Sequence, residues 1–548
     1  MSSESKQVDP PSGEKDTKSK VEEEPENTAE NQEEAGEDEE APTGDQVTTG
    51  KKKKKSKASK LKNALTGGSS SSISKTSGSV TAEQFQQLLD NNPALKAEVG
   101  HMDPANVKEM MKNLDLNTIL TGATVDGKNK KDMASYKFWQ TQPVPSFDEA
   151  RSKNIADGPI KDIDINRVSK DPPPMYEGFE WVTMDLDDEK QLQEVYDLLS
   201  DHYVEDNEAM FRFNYSFSFL NWALKAPGWK KEWHVGVRAI KSQKLVAFIS
   251  GIPMSLRVRK ANIASSEVNF LCIHKKLRDK RLAPVLIKEI TRRCYLVGTF
   301  QAIYTGGSLL PTPVSTCRYF HRSLDWEKLY ELKFSPLPHG STPQRQIRKF
   351  ALPDRTATPG LRPMKIEDVD SVLSLLNRYL ARFDMAQEFS AEEIKHWLLH
   401  DKTICPEQVV WAYVVEDPST KKISDFFSFY RLASTAIGNP KHKFVNAAYL
   451  YYYATETAFE DDKAKLKPRL NYLMKDALIL AKKAKFDVFN ALTLLDNPLF
   501  LTEQMFGAGD GQLYYYLYNY RAAIIPGGID EQSKVSEKAM GGVGVVML

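Results

Sequence analysis

The chain has 548 residues, and its 74 Lys and Arg balance 74 Asp and Glu to a formal net charge of zero. The four cysteines (Cys272, Cys294, Cys317, Cys405) form no CxxC pair and have no histidine at zinc-ligand spacing, which excludes a disulfide framework and a metal site. An N-terminus without an apolar signal core, and the lack of any uncharged run of eighteen apolar residues, exclude secretion and a membrane span. A reducing, cytoplasmic setting is expected.

In chain order, residues 1–79 hold an acidic head, five lysines from Lys51 to Lys55 and a serine-rich tract, with too few apolar residues to bury a core. They are expected to be disordered. Residues 80–135 carry two short amphipathic patterns (Phe85, Leu88, Leu89; Val107, Met110, Met111, Leu114), read as appended helices and a linker. From Tyr136 aromatic and β-branched residues thicken and a packed domain begins. Prolines 343, 353, 359 and 363 among basic residues then mark a linker. It divides the folded part into an N-terminal half (136–345) and a C-terminal half (346–548).

The two halves echo one another. Met184-Asp-Leu-Asp-Asp precedes a helix ending at Leu198-Leu199, and Met364-Lys-Ile-Glu-Asp precedes one ending at Leu375-Leu376. Strands are expected over 234–238 and 245–250, and again over 410–415 and 423–429. A strand and a long helix follow in each half (267–273 with 284–297; 447–454 with 468–484), then a last strand (302–305; 487–492). The order βαββαβ met twice predicts a duplicated α+β domain.

The stretch that carries chemistry runs from Glu267 to Arg293 and reads as strand, basic turn, helix. A helix start leaves backbone N–H groups unpaired at the positive end of the dipole, and Pro284 suits a first turn. Lys275, Lys276, Arg278, Lys280 and Arg281 surround that end, so a pyrophosphate would meet donors and charge together; the alternative is a solvated basic turn. Arg278-x-x-Arg281-x-Ala283 resembles the pyrophosphate loop of acyl-CoA N-acetyltransferases, with Arg281 in place of the usual glycine. The corresponding turn of the second half carries Glu460-Asp461-Asp462, which repels phosphate, so only the first half is expected to bind the acyl-CoA.

From Tyr136 to Leu548 the chain resembles one family, the N-myristoyltransferases. The segments that carry the resemblance are Lys137-Phe138-Trp139-Gln140-Thr141-Gln142-Pro143-Val144, Glu267-Val268-Asn269-Phe270-Leu271-Cys272, 485–492, Phe506-Gly507-Ala508-Gly509-Asp510-Gly511, and the apolar terminus Gly544-Val545-Val546-Met547-Leu548. The fold this implies is two fused acetyltransferase-like α+β halves, related by a pseudo-twofold around a saddle-shaped mixed sheet.

The activity implied is direct transfer of a myristoyl (tetradecanoyl) group from myristoyl-CoA, a co-substrate rather than a bound cofactor, to the N-terminal glycine amine of a peptide or nascent protein. The C-terminal carboxylate of Leu548 would be the base, the backbone N–H groups of Phe270 and Leu271 the oxyanion hole, and Asn269 and Thr305 contacts of the amine. The acyl-CoA would lie on Lys137, Phe138, Trp139, Phe270, Leu271, Cys272, Ile273, Arg278, Asp279, Lys280, Arg281, Leu282, Ala283 and Pro284. The acceptor groove would comprise Tyr203, Val204, Asp206, Phe211, Phe213, Tyr215, Asn269, Thr305, Gly307, Tyr319, His321, Tyr430, Ser434, Asp510, Gly511 and Leu513. In it, the acidic loop Glu205-Asp206-Asn207-Glu208 would pair with a peptide lysine.

A monomer is expected, with Lys51 to Lys55 as a ribosome-docking tract. Two other readings stay open: a ping-pong transfer through a Cys272 thioester, and an adaptor that holds anionic lipid or RNA on the lysine run. Residues 520–541, rich in Gly and charge, read as a loop longer than the family needs.

Overall fold

A computed structural model describes residues 136–146, 149, 155–206 and 209–548, with only the backbone at Asp279. The head, the lysine run, the two amphipathic patterns and Asn207 and Glu208 lie outside the described residues. Among the described residues no helix is long and apolar enough to cross a membrane, and no cluster of acidic, His and Cys side chains could hold a metal ion.

The first half contains β1 (Phe179–Thr183), α1 (Glu189–His202), β2 (Phe211–Asn214), α2 (Phe217–Leu224), β3 (His234–Ala239), β4 (Leu245–Val258), β5 (Ala261–Ile273), α3 (Leu282–Leu296), β6 (Gln301–Gly306) and β7 (Ser315–Ser323). Two short helices, α4 (Trp326–Glu331) and α5 (Pro343–Lys349), lead onward, α5 lying across the expected boundary between halves. The second half repeats the series with β8 (Leu361–Pro363), α6 (Val369–Leu380), β9 (Met385–Gln387), α7 (Ala391–Leu398), β10 (Val410–Glu416), β11 (Ile423–Ala436), β12 (Phe444–Thr455), α8 (Leu466–Lys483), β13 (Val488–Leu492) and β14 (Gly507–Tyr518). The terminal β15 (Val543–Gly544) closes the chain. Each half therefore has the expected α+β plan with additional strands, and the paired long strands run well past their expected ends.

Local chemistry sets these elements. Asp188 caps α1 by accepting from the Lys190 N–H, and Leu192, Val195, Leu198 and Leu199 give the helix its buried stripe. The matching helix α6 buries Val372, Leu375, Leu376 and Tyr379, and α7 starts on a Ser390/Glu393 capping box.

All fifteen labelled strands join one mixed sheet in the order β15-β9-β4-β5-β6-β14-β7-β13-β12-β11-β10-β8, with β1 and β3 continuing from β4 and β2 paired to β11. The halves exchange strands reciprocally. β2 of the first half pairs with the end of β11 (Ser434 opposite Phe213), and β9 of the second pairs with the end of β4 (Gln387 opposite Leu256). Likewise β14 completes the first half against β6, and β7 completes the second against β13. Helices α2 and α7 meet across the same junction, where the Trp222 Nε1–H donates to the His396 carbonyl and the Trp222 and Trp397 rings lie 5.0 Å apart. One apolar core runs through both halves.

Residues 520–541 differ from expectation: they form a packed strap, not a loose loop. Ile525 is buried, its N–H donates to Val314, and the Thr493 hydroxyl donates to the Gly527 carbonyl. A Cβ on Gly527 would stand 1.8 Å from the Thr316 oxygen, which is why glycine is needed where the strap crosses β7.

Candidate active site

The site is built on β5. Successive side chains of a strand point to opposite faces, and here Ser266 and Val268 line an apolar cavity under α3. Glu267 lies on the other face, beneath Tyr430, Tyr451 and Tyr452. Between the pairs Phe248 with Cys272 and Ser250 with Asn269 the register shifts, so Ile249 alone faces both Phe270 and Leu271. Such a bulge interrupts the ladder and re-aims the backbone. Phe270 accordingly takes a φ of 56°, a strained value for an aromatic residue.

The second half keeps the same irregularity, between Phe427 and Phe429 of β11. There the Ser428 hydroxyl fills the gap, donating to the Tyr452 carbonyl at 2.7 Å and accepting the Tyr452 N–H at 3.2 Å. The first half has Ile249 at that point, which offers no such group. This difference, together with the acidic 460–462 turn, separates the two halves chemically.

The cavity is walled by β5, β6 and the inner face of α3 (Ile287, Ile290, Thr291, Cys294, Tyr295), and it reaches Trp139, Tyr203, Asn269, Phe270, Leu271 and Thr305. Trp139 is buried in a short 3-10 turn, stacked on Tyr304 at 5.8 Å, which in turn stacks on Tyr516 at 5.0 Å. Phe138 meets it edge-on at 5.2 Å. The segment expected to clamp an acyl-CoA thus lies at the same cavity as the bulge. Tyr304 and Tyr516 were not among the expected site residues, since aromatic residues in strands read as plain core.

After Ile273 the basic turn is a 3-10 segment (Lys275–Lys280), and Arg281 is the residue before α3 with a φ of 55°. That left-handed value explains why glycine is usual at this place in the motif. Leu282, Ala283 and Pro284 form the first helical turn. Two of the expected phosphate cations face the neighbouring loop: Lys275 bonds Glu205, and Arg278 donates to the His202 carbonyl at 2.6 Å. Burial, with the charge of a second imidazole close by, pushes the His202 pKa down to about 4, its ring 4.0 Å from that of His274.

The loop after α1 is tied to the same turn. Glu205 is held by Arg212 and Lys275, whose hydrogen bonds outweigh its desolvation and keep its pKa below the usual carboxylate range. Exposed Asp206 accepts the Phe211 N–H at 2.7 Å, and Val204 is exposed beside it. In the described part of this loop Asp206 is exposed and Glu205 is half-buried.

The expected groove residues assemble across the sheet. Tyr215 touches Tyr203 (5.7 Å), Phe213 (5.9 Å) and Phe270 (5.2 Å). Ladder pairs run from Tyr430 to Tyr449, on to Asn490, to His321 and to Gly507. Tyr319 and Leu513 flank this row, Ser434 sits beside Phe213, and Thr305 and Gly307 stand at the end of β6. Phe211 packs on Phe334, as does His321. Asp510 and Gly511 lie in an irregular, exposed stretch of β14.

His321 Nδ1 lies 2.7 Å from the Asn490 Oδ1, which accepts only, so Nδ1 carries the proton and Nε2 is an acceptor. Burial keeps the imidazole neutral by lowering its pKa. Tyr449 and Asn490 stand in the same row and are not among the expected site residues; only their ladder register places them there. Arg318 is a further such residue, donating to the Gly509 carbonyl and to the Ser533 carbonyl of the strap, each at 2.8 Å.

Finally, the chain's end enters this site. β15 runs parallel to β9 (Val543 opposite Met385), and Val545, Val546 and Met547 are buried. Tyr515 Oη donates to the Val545 carbonyl, and Tyr452 Oη accepts the Val546 N–H, each at 3.0 Å. Burying each of three apolar side chains stabilises by about 1.5–3 kcal/mol, against an ordering cost of about 1–2 kcal/mol per backbone residue. The Leu548 N–H donates to the Glu267 carboxyl, two residues before Asn269. Cys272, in contrast, is buried with its Sγ 3.6 Å from the Leu198 carbonyl oxygen.

The chain is similar to known proteins along most of its length. Residues 159–317 match the model of the N-terminal domain of myristoyl-CoA:protein N-myristoyltransferase, and residues 331–546 that of its C-terminal domain. A glycylpeptide N-tetradecanoyltransferase of Emericella nidulans is 64% identical over 471 residues, covering 86% of this chain and 95% of its own. The Saccharomyces cerevisiae protein of the same name is 50% identical over 81% of this chain and 98% of its own length. A crystal structure of Saccharomyces cerevisiae N-myristoyltransferase with bound myristoyl-CoA superposes with a TM-score of 0.72 at 49% identity, covering 77% of this chain and 96% of that one.

Proposed function

The chain belongs to the myristoyl-CoA:protein N-myristoyltransferase family, and from that membership we propose that it moves a tetradecanoyl group from tetradecanoyl-CoA to the amine of an N-terminal glycine. The first half holds the thioester: the acyl tail enters the cavity under α3, and the pyrophosphate rests at the start of that helix. The acceptor peptide lies along the groove from Tyr203 to Leu513.

The observation that carries this reading is the chain end, buried through Met547 with Leu548 half-buried, and tied through Glu267 to the strand that bulges at Phe270. Glycine arrives as an ammonium, and the Leu548 carboxylate takes one proton from it. The neutral amine forms a C–N bond to the thioester carbon, whose oxygen is received by the N–H groups of Phe270 and Leu271. Collapse breaks the C–S bond, the second amine proton leaves with the CoA sulfur, and Leu548 releases its own proton to solvent. In water the first transfer, from pKa about 8 to about 3.5, is uphill by roughly 6 kcal/mol. An apolar surround that disfavours the carboxylate narrows that gap. Each oxyanion donor contributes about 3–4 kcal/mol.

His321, with Nε2 as acceptor, suits a hydroxyl of the peptide, and exposed Asp206 and Asp510 suit a basic residue. The family's soluble, cytoplasmic, monomeric way of working fits the sequence, with Lys51 to Lys55 docking the enzyme near nascent chains at the ribosome. The test incubates purified protein with tetradecanoyl-CoA and a Gly-initiated octapeptide. Wild type forms the acylated peptide, and a chain ending at Met547 loses at least 100-fold in kcat, within the usual range for a general base. Deleting residues 1–79 leaves this peptide assay unchanged and removes ribosome co-sedimentation. An inactive wild type, or a full-rate truncation at Met547, overturns the reading.

A further inference from the structure

The transfer chemistry itself does not demand Glu267. It is 4% exposed, and among the described residues no Lys or Arg pairs with it. A buried carboxyl without a cation is costly and is removed at little loss unless something depends on it. Its two hydrogen bonds show what depends on it. Asn269 Nδ2 donates to Oε1 at 2.5 Å, and the backbone N–H of Leu548 donates to the same carboxyl. Tyr430, Tyr451 and Tyr452 stand around it and supply no competing charge.

Both donors belong to residues assigned to the acceptor amine: Asn269 as its contact, and Leu548 through the carboxylate that begins one Cα beyond that N–H. We propose that Glu267 is the positioning residue of the transfer, one carboxyl that fixes the terminal residue and the Asn269 amide in a common frame. This rests on the proposed acyl transfer and deepens it. A carboxyl can accept from both donors at once. A glutamine keeps only one acceptor oxygen, carries donors in place of the other, and cannot take the negative charge that strengthens both bonds. Burial pushes the Glu267 pKa up to about 7, against the two hydrogen bonds that lower it, so the frame loosens when the carboxyl gains a proton.

The test uses Glu267→Gln, Leu548→Pro and the double variant. Leu548→Pro removes the backbone N–H yet keeps a terminal carboxylate. Calorimetry with tetradecanoyl-CoA checks the acyl-CoA half, and kcat is read with the Gly-initiated octapeptide. Each single variant is expected to bind acyl-CoA within twofold of wild type and to lose on the order of 10- to 100-fold in kcat, the scale of a small misplacement of a reacting group. The double variant should lose no more than the more impaired single, because the bond between the Leu548 N–H and Glu267 is already broken in each. Wild-type kcat in Glu267→Gln, or losses that multiply in the double variant, overturn the assignment while wild-type activity keeps the proposed function intact. If Glu267→Gln does not fold, Leu548→Pro carries the test alone, and a wild-type kcat there overturns the assignment too.

Discussion

The far end of the acyl cavity offers a quantitative test of chain-length selection. From Phe270 back to Ser266 on β5, and from Thr305 back to Gln301 on β6, the strands run four residues away from the bulge, about 13 Å at 3.3 Å per residue. Cys294 of α3 lines the cavity there, its Sγ 3.7 Å from the Ser266 hydroxyl, and Thr299 and Phe300 line it too. Each methylene buried there contributes about 0.8 kcal/mol, so two give about 1.6 kcal/mol, a factor of roughly 15. Cys294→Leu inserts about two methylene equivalents into the same space. The variant should lose the roughly 15-fold advantage of tetradecanoyl-CoA over dodecanoyl-CoA, at a stability cost of about 1–3 kcal/mol for overpacking. The assay is kcat/KM with the two acyl-CoAs and one octapeptide. A folded variant whose tetradecanoyl-to-dodecanoyl ratio matches wild type would refute the placement of the tail's end at Cys294.

The remaining predictions concern stability, mechanism and the groove. His234 is fully buried on Trp229, and desolvation pushes its pKa down to about 4, from about 6.5 unfolded. The unfolded state therefore binds the proton better, so its contribution is complete above pH 6.5 and falls by about 3 kcal/mol as pH drops to 4. Urea titrations at pH 7.5, 6 and 5 should show the loss, and His234→Phe should flatten it; an unchanged slope of stability with pH in that variant rejects the assignment. Cys272→Ala should turn over within about threefold of wild type, because a direct transfer needs no thiol. A stable acyl-enzyme in intact-mass spectra of the wild type, absent from the variant, would instead establish the ping-pong route. A Cβ at Gly509 would stand 2.3 Å from His321 Nε2, so Gly509→Ala should raise the peptide KM by at least tenfold and leave acyl-CoA affinity unchanged. Equal KM in wild type and variant would place the peptide elsewhere.

The sequence by itself determined the family and the duplicated α+β plan. Those are properties of local pattern: an apolar stripe with a cap makes α1, and an apolar tail cannot stay in water. Which oxygen meets which nitrogen was decided by the tertiary structure alone. Lys275 and Glu205 lie seventy residues apart in sequence yet bond one another. Asn490 reaches His321 only because β13 and β7 belong to different halves and pair at one register. Glu267 read as an ordinary strand position, and it acquires a role only because a terminus nearly three hundred residues away folds back beneath it. Local propensity acts over a few residues, whereas strand exchange between the halves brings together groups from opposite ends of the chain, and no periodicity in the sequence records that meeting.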